Sequence, residues 1–460
     1  MSQTPTRNDR LDRLPFTRRH GKLLVGSGVG WALDAMDVGL ISFVMAALMA
    51  HHTIDRSQSS LIVSVGFIGM AIGATFGGRL ADRIGRRQVF ALTLVIYGLS
   101  TGASALVWGM DSGQPALFSG LFAFIMLRFM VGLGLGAELP VASTLVAEYA
   151  PKRIRGRVVV YLEAFWAAGW LAAALIGFFI IPLSENWGWR WALLIGTFPA
   201  AYALVIRYGL PESVRFLESR GCHDEAEKAV RQFEISAGVA APSDAERADT
   251  DARDVPVEKN VSIWSPALRG RTIALWLVWF GINLSYYGAF IWIPSLLHAR
   301  GFPLVKAFEF TLIITLAQLP GYFVAAWLIE KIGRRITLSS FLLGSALSAA
   351  AYGLANSEPT IIAAGMALSF FNLGAWGALY AIGPEMYPTN IRGRGTGAAA
   401  GFGRIASILA PLIVPPLLTL GGGAGTGGEL LVFGVFAAAF AMAAIAAFQL
   451  PEKTGEALEP

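Results

Sequence analysis

Gly78-Arg79-Leu80-Ala81-Asp82-Arg83-Ile84-Gly85-Arg86-Arg87 decides how this chain reads. It packs four arginines and one aspartate into ten residues, yet it lies between two apolar runs, 57–79 and 88–110. Each run can cross a hydrocarbon layer of about 30 Å, which takes about 20 residues of helix. A short charged connection between two such runs is a loop at one membrane face, and clustered arginine marks the cytoplasmic one.

The rest of the chain has the same character. Only 15% of its 460 residues are Asp, Glu, Lys or Arg, against roughly 25% in soluble domains, and 55% are apolar. That composition excludes an ordinary soluble enzyme. The net charge of +5 sits in short clusters between apolar runs, so membrane topology explains it and nucleic-acid binding does not. A single cysteine, Cys222, leaves no internal disulfide and no CxxC motif. His20, His51, His52, His223 and His298 show no metal-ligand spacing, and the glycine run 421–428 lacks the GK[ST] of a phosphate loop. No metal or cofactor is therefore expected. Residues 1–22 are polar and basic with no small-residue cleavage site, so the first span is expected to stay in the membrane.

Twelve runs fit membrane spans: 23–50, 57–79, 88–110, 115–140, 155–182, 188–209, 271–298, 304–328, 336–355, 359–382, 394–420 and 428–450. The connections after spans 2 and 4 carry Arg79, Arg83, Arg86, Arg87 and Lys152, Arg153, Arg155, Arg157. Those after spans 1, 3 and 5 carry Arg56, none and Arg190. Both termini are thus expected in the cytoplasm of a multi-pass cell-membrane protein. The expected organisation is a cytoplasmic segment at 1–22, a six-helix bundle at 23–209, a cytoplasmic linker with short helices at 210–268, a second six-helix bundle at 269–450, and a tail at 451–460. Within the linker, the Ala/Pro/Asp-rich run 240–256 reads as mobile.

The halves repeat one another. Glu330-Lys331-Ile332-Gly333-Arg334-Arg335 echoes the opening stretch 248 positions later. Glu148, Pro151, Ile154, Arg155, Gly156 and Arg157 recur as Glu385, Pro388, Ile391, Arg392, Gly393 and Arg394, all offset by 237. Pro211-Glu212 recurs as Pro451-Glu452. Three matches in the same order point to a duplicated six-span unit, a recurrent plan of secondary transporters.

With these motifs in hand, the chain resembles the major facilitator superfamily over almost its whole length. Arg128 with Gly132, Gly134 and Gly136 is similar to that superfamily's fourth-span pattern, and Pro211-Glu212-Ser213-Val214-Arg215-Phe216-Leu217 to the PESPRWL run of its sugar porters and organic-ion transporters. The second loop departs from the pattern at Ala326 and Glu330-Lys331, and Leu277-Val278 stand where sugar porters carry a Gln pair. Asp34-Ala35-Met36-Asp37-Val38-Gly39, Glu385-Met386-Tyr387-Pro388-Thr389 and Gly403-Arg404-Ile405-Ala406 look like the bacterial niacin transporters and the related synaptic-vesicle and organic-anion branches. The resemblance implies an all-helical importer with no enzymatic activity. It would move a small organic anion by alternating access, with nicotinate or a related aromatic carboxylate as first choice. A sugar or polyol porter is the alternative within the class, and a non-transporting membrane sensor the alternative outside it. The expected partners are the substrate, a proton and the lipid bilayer, with the chain acting as a monomer.

Charges inside apolar spans are costly enough to be functional hypotheses. Asp34 and Asp37 lie about 18 and 22 Å along a helix counted from Lys22 and share one face with Trp31. They read either as proton-coupling sites or as an ion pair with Arg128, and Glu163 is an alternative proton site. Arg404 lies about 15 Å along its helix from Arg394 with no acid in its own span, so it reads as a fork for a substrate carboxylate or as a partner for an acid elsewhere. Asn283, Tyr286, Tyr287 and Trp292 in span 7, with Asn372 and Trp376 in span 10, suit a planar ligand, although most aromatics in spans are packing. The helix-end charges Asp82, Arg86, Glu148, Arg157, Glu212, Arg215, Glu330, Arg334, Glu385 and Arg394 read as a cytoplasmic gate closed by ion pairs between the halves, against plain topology signalling.

Overall fold

The structure is a computed structural model that describes residues 6–51, 53–109, 119–240, 262–387, 391–423 and 427–452. Backbone N–H and C=O groups in hydrocarbon must be satisfied within the segment, so the apolar runs fold as helices. They form twelve spans: 1 (Arg18–Ala50), 2 (Arg56–Ile84), 3 (Arg86–Ser104), 4 (Gly120–Tyr149), 5 (Arg155–Phe179), 6 (Gly188–Ile195 and Phe198–Gly209), 7 (Arg269–Ala299), 8 (Leu304–Leu316 and Gln318–Ile332), 9 (Arg334–Leu354), 10 (Glu358–Ile382), 11 (Arg392–Leu420) and 12 (Gly427–Phe448). Eleven are long and apolar enough to cross a bilayer. Span 3, with 19 residues, is long enough and falls short in hydropathy. Its Thr93, Tyr97 and Thr101 lower its hydropathy and face buried acids of spans 1 and 4.

Spans 3 and 4 depart most from their expected bounds. Span 3 stops at Ser104, and span 4 runs on through position 140 to Tyr149. The expected start of span 4 at 115–118 lies outside the described residues, as do most of the run 240–256 and the tail from 453.

Span 2 lies against span 4 at backbone distance. A Cβ on Gly73 would sit 2.2 Å from the Leu133 carbonyl oxygen, and one on Gly136 would sit 2.0 Å from that of Met70. The glycine-rich fourth-span motif is therefore a packing device, since small residues let membrane helices approach closely. Between the halves, span 2 meets span 11 through its prolines. Pro415 has no N–H to give the carbonyl four residues earlier, and the Ser60 hydroxyl donates to that Pro411 carbonyl at 2.8 Å.

The repeated motifs acquire a physical meaning at the arginine-rich end. Gly85 and Gly333 turn the chain between spans 2 and 3 and between spans 8 and 9 at φ of +100° and +91°, which favours glycine. The next span then begins with two free N–H groups, and a glutamate from the end of the same half accepts them. Glu212 takes those of Arg86 and Arg87 at 2.8 and 3.1 Å; Glu452 takes those of Arg334 and Arg335 at 3.3 and 3.0 Å. The two Pro-Glu matches are thus a pair of helix caps that tie each half's last span to its third.

Two short helices, Val214–Ser219 and His223–Ser236, follow span 6. The N-terminal segment is itself folded, as a helix over Arg7–Arg13 docked on them. Arg7 pairs with Glu218 and Glu227, and Arg10 with Glu227 and Glu234 at 2.7 and 2.8 Å. Burial pushes the Glu227 and Glu234 carboxyls up, but hydrogen bonds from these arginines outweigh it and hold both below the usual range.

Losing a helix cap costs about 1 kcal/mol, with a range of about 0.5–2. Glu212→Ala and Glu452→Ala should each destabilise the protein by that amount, read as lower thermal unfolding temperatures in detergent. Unchanged temperatures for both would contradict the capping role.

Candidate substrate site between the halves

The central cavity is built from both halves. Spans 1 and 5 contribute Trp31, Glu163 and Trp166; spans 7, 8, 10 and 11 contribute Trp279, Asn283, Tyr286, Tyr287, Tyr322, Trp376, Tyr380 and Arg404. Its free interior of about 20 Å³ holds about one water molecule, so the rings are packed on one another. Trp279 meets Trp376 and Tyr380 edge-on at 5.6 and 5.5 Å, and Trp376 stacks on Tyr380 at 5.9 Å. Across the halves, Trp166 Nε1 donates to the Tyr286 hydroxyl at 2.9 Å. A flat aromatic ligand entering here exchanges ring contacts with the protein for ring contacts with itself.

Five polar atoms in this lining have no partner: the indole nitrogens of Trp31, Trp279 and Trp376, and one atom on each of two charged groups. Arg404 Nη1 and Glu163 Oε1 are both shut away from solvent without a hydrogen bond. Tyr287 and Tyr380 flank the guanidinium. Asn283 anchors its helix turn, accepting from Ser407 Oγ at 2.8 Å and donating to the Trp279 carbonyl at 2.7 Å. A buried guanidinium nitrogen without an acceptor is expensive, and a ligand carboxylate arriving through the ring cluster would satisfy it.

Arg128 is occupied differently. Its Nη1 lies 3.4 Å from Asp37 Oδ2, and Thr101 Oγ1 both donates to Asp37 and accepts from Arg128 Nη2 at 2.9 Å. This closed triad binds spans 1, 3 and 4 of the first half. Asp34 makes no such pair.

Two expected substrate contacts lie elsewhere. Trp292 lines a separate vestibule of about 600 Å³ with Asp55, Arg56 and His298, because it stands a turn and a half beyond Tyr286 on span 7. Asn372 is wholly buried in span 10 and does not reach the cavity. Conversely, Trp279 and Tyr322 line the cavity although nothing in the sequence reading singled them out. The signal for Trp279 was present, since 279, 283 and 286 recur at helical spacing on one face. Glu138, an acid inside span 4, was also missed, because that span was drawn to end beside it.

The ten helix-end charges are expected to join across the halves; the structure engages five of them within a half. Arg86 pairs with Glu148, which also accepts from Ser213 Oγ at 2.6 Å, and Arg334 pairs with Glu385 at 2.8 Å. Glu212 is a helix cap. Asp82, Arg215 and Arg394 are exposed. Among the described residues, one pair of the set crosses, Arg157 Nε to Glu330 Oε1 at 2.6 Å. Both its members are more than half exposed, at 61% and 52%, which makes it worth about 0–1 kcal/mol and easily broken. The reason for the correction is geometric: these acids stand where the chain re-enters its own bundle, so local arginines and helix N-termini claim them first.

Two six-helix halves that close on a buried, two-sided cavity define a secondary transporter of the major facilitator fold. Residues 27–460 match the family described as sugar (and other) transporter, and the chain belongs to that family. It is 48% identical over 413 residues to the niacin transporter NiaP of Acinetobacter baylyi, a match that covers 89% of this chain and 90% of that protein. It is 46% identical over 404 residues to a Bacillus subtilis protein provisionally named niacin/nicotinamide transporter NiaP, covering 88% and 89%. Its fold matches the partially occluded inward-open xylose transporter XylE from E. coli with a TM-score of 0.74 at 21% identity, over 96% of this chain and 100% of that one.

Removing one member of a buried ion pair costs about 3–5 kcal/mol, because the other charge stays buried alone. Asp37→Asn should therefore destabilise the protein strongly, and adding Arg128→Gln should restore part of the loss. A double-mutant cycle on thermal unfolding measures this, and additive effects of the two substitutions would show that the pair is not coupled.

Proposed function

We propose that the protein imports nicotinate, or a closely related small aromatic carboxylate, by alternating access across the cell membrane, with both termini in the cytoplasm and the chain working as a monomer. The observation that carries this reading is the unpartnered Arg404 nitrogen inside a cage of aromatic rings. A planar fork matches a planar carboxylate, and stacked rings match an aromatic body better than a polyhydroxyl one. The names of the two relatives agree with it. The orientation is supported by the arginine and lysine clusters on the side of both termini.

In the proposed cycle the anion enters from outside and seats its carboxylate on Arg404 while its ring parts the Trp166–Tyr286 contact between the halves. The halves then rock, the Arg157–Glu330 pair separates, and the anion leaves to the cytoplasm. Energy comes from an ion gradient, and a co-transported proton is part of the proposal. The fold and family place the protein among transporters, and in this proposal its work is movement across the membrane, with no bond made or broken in the substrate.

Uptake by purified protein in liposomes tests the reading. Labelled nicotinate should enter faster than benzoate, and glucose should not enter at all. An inward proton gradient should drive nicotinate above its external concentration. The name of the Bacillus relative joins nicotinamide to niacin, but the charge argument separates them: nicotinamide keeps the ring and loses the anion, so it should compete poorly. Equal competition by nicotinamide and nicotinate would overturn the carboxylate reading.

A further inference from the structure

Asp34 in span 1 and Glu138 in span 4 are 1% and 0% exposed, deep in the first half. Glu138 reaches across to the face of span 1 that carries Gly30 and Asp34, so each acid feels the other's charge. The approach is close: a Cβ on Gly30, one turn before Asp34, would sit 3.0 Å from Glu138 Oε1 and 2.7 Å from the Phe90 ring. Among the described residues neither acid forms an ion pair. Both Asp34 oxygens and Glu138 Oε1 lack a donor, and Glu138 Oε2 has only the Thr93 hydroxyl at 3.4 Å.

Other titratable and charged groups surround the pair, and among them the Tyr97 hydroxyl has no hydrogen-bond partner. Tyr97 of span 3 lies beside Asp34, and Tyr202 of span 6 lies near Glu138 with its hydroxyl donated to the Gly26 carbonyl at 2.9 Å. Asp37, one turn along span 1, is held by Arg128 of span 4, which is thereby taken. Arg404 of span 11 acts on Asp34 from the cavity without pairing to it. Two carboxylates are acceptors only, and two negative charges close together in a dry interior repel strongly. One proton between them converts that repulsion into a charge-assisted O–H···O bond.

We infer that Asp34 and Glu138 form a one-proton site, separate from the Asp37–Arg128 pair, that loads when an anion occupies Arg404. The loading step forms one O–H bond, with the proton taken from water and returned to it on release. Its sign follows from charge. A substrate carboxylate on Arg404 neutralises a cation that acts on the pair, and a proton taken up by the pair restores the balance of charge inside the membrane. Anion and proton thus bind together, which is symport. The coupling rests on the proposed anion site, whereas the proton site itself does not.

Difference infrared spectroscopy on the lipid-reconstituted protein reads the proton site without any substrate. Titration with pH should show the carbonyl band of a protonated carboxylic acid, shifted in heavy water. Glu138→Gln and Asp34→Asn should each remove the intensity of one such group, and Asp37→Asn should retain it. Unchanged intensity in both Glu138→Gln and Asp34→Asn, or loss in Asp37→Asn alone, would overturn the assignment. Where one of the two variants fails to fold, the other decides. The coupling is read by adding nicotinate to weakly buffered protein with a pH indicator: wild type should take up a proton with each bound nicotinate, and Glu138→Gln and Asp34→Asn should bind nicotinate without uptake. Uptake unchanged in both variants would overturn the coupling. Absence of nicotinate binding to wild type would overturn the anion reading and the coupling with it, while the infrared result would stand on its own.

Discussion

A charge inside a bilayer or at the end of a span has to be answered, and the way each one is answered organises this molecule. Asp37 is answered by Arg128 and Thr101 within the first half. Arg300 is answered by Glu429 and the Ala355 carbonyl within the second. Arg190 lies over the faces of Trp108 and Trp189, at 3.9 and 4.3 Å from their ring centroids, and donates to the Ala105 carbonyl. These closed arrangements hold each bundle as a rigid unit. Arg404 and Glu163 face the seam between the bundles with open valences. The Asp34–Glu138 site apart, the asymmetry is what a carrier needs: charges satisfied inside each half keep the halves intact while they move, and charges left open at the seam give a ligand something to complete.

Backbone chemistry divides the same way. Glycines let spans 2 and 4 meet at van der Waals distance inside one half. Across the seam, by contrast, contacts use small numbers of replaceable hydrogen bonds, such as Ser60 to Pro411, Ser64 to the Ile408 carbonyl at 3.0 Å, and Trp166 to Tyr286. The exposed ion pair Arg157–Glu330 belongs with these. Rocking can break such contacts one by one without unpacking a core.

Much of this was legible in the sequence, for reasons that can be located. Apolar runs and arginine clusters are one-dimensional signals, so the twelve spans and the duplicated halves could be read from them. Arg404, Tyr286 and Tyr287 stood out as polar groups in apolar surroundings. The repeated glycines and glutamates were visible as matches, but their roles were not, since a positive φ at Gly85 and a cap by Glu212 from 126 residues away are three-dimensional facts. The helix-end charges were misassigned to the seam for the same reason: sequence shows that an acid and an arginine occur, not which bundle brings them together. Glu138 was hidden by a boundary drawn at Pro140, and Tyr322 by the absence of any mark that tells a cavity-facing tyrosine from a packed one.

The central claim is that Arg404 reads the substrate's negative charge, and the tryptophans around it supply the means to measure this directly. Nicotinate titrated into the purified protein should perturb the fluorescence of the Trp31, Trp166, Trp279 and Trp376 cluster and give a binding constant. A charge-assisted hydrogen bond is worth about 1.5–3 kcal/mol, so Arg404→Ala should bind nicotinate roughly ten- to hundred-fold more weakly than wild type. Arg404→Lys, which keeps the charge and loses the planar fork, should fall between them. An Arg404→Ala protein that folds and binds nicotinate as tightly as wild type would contradict the account.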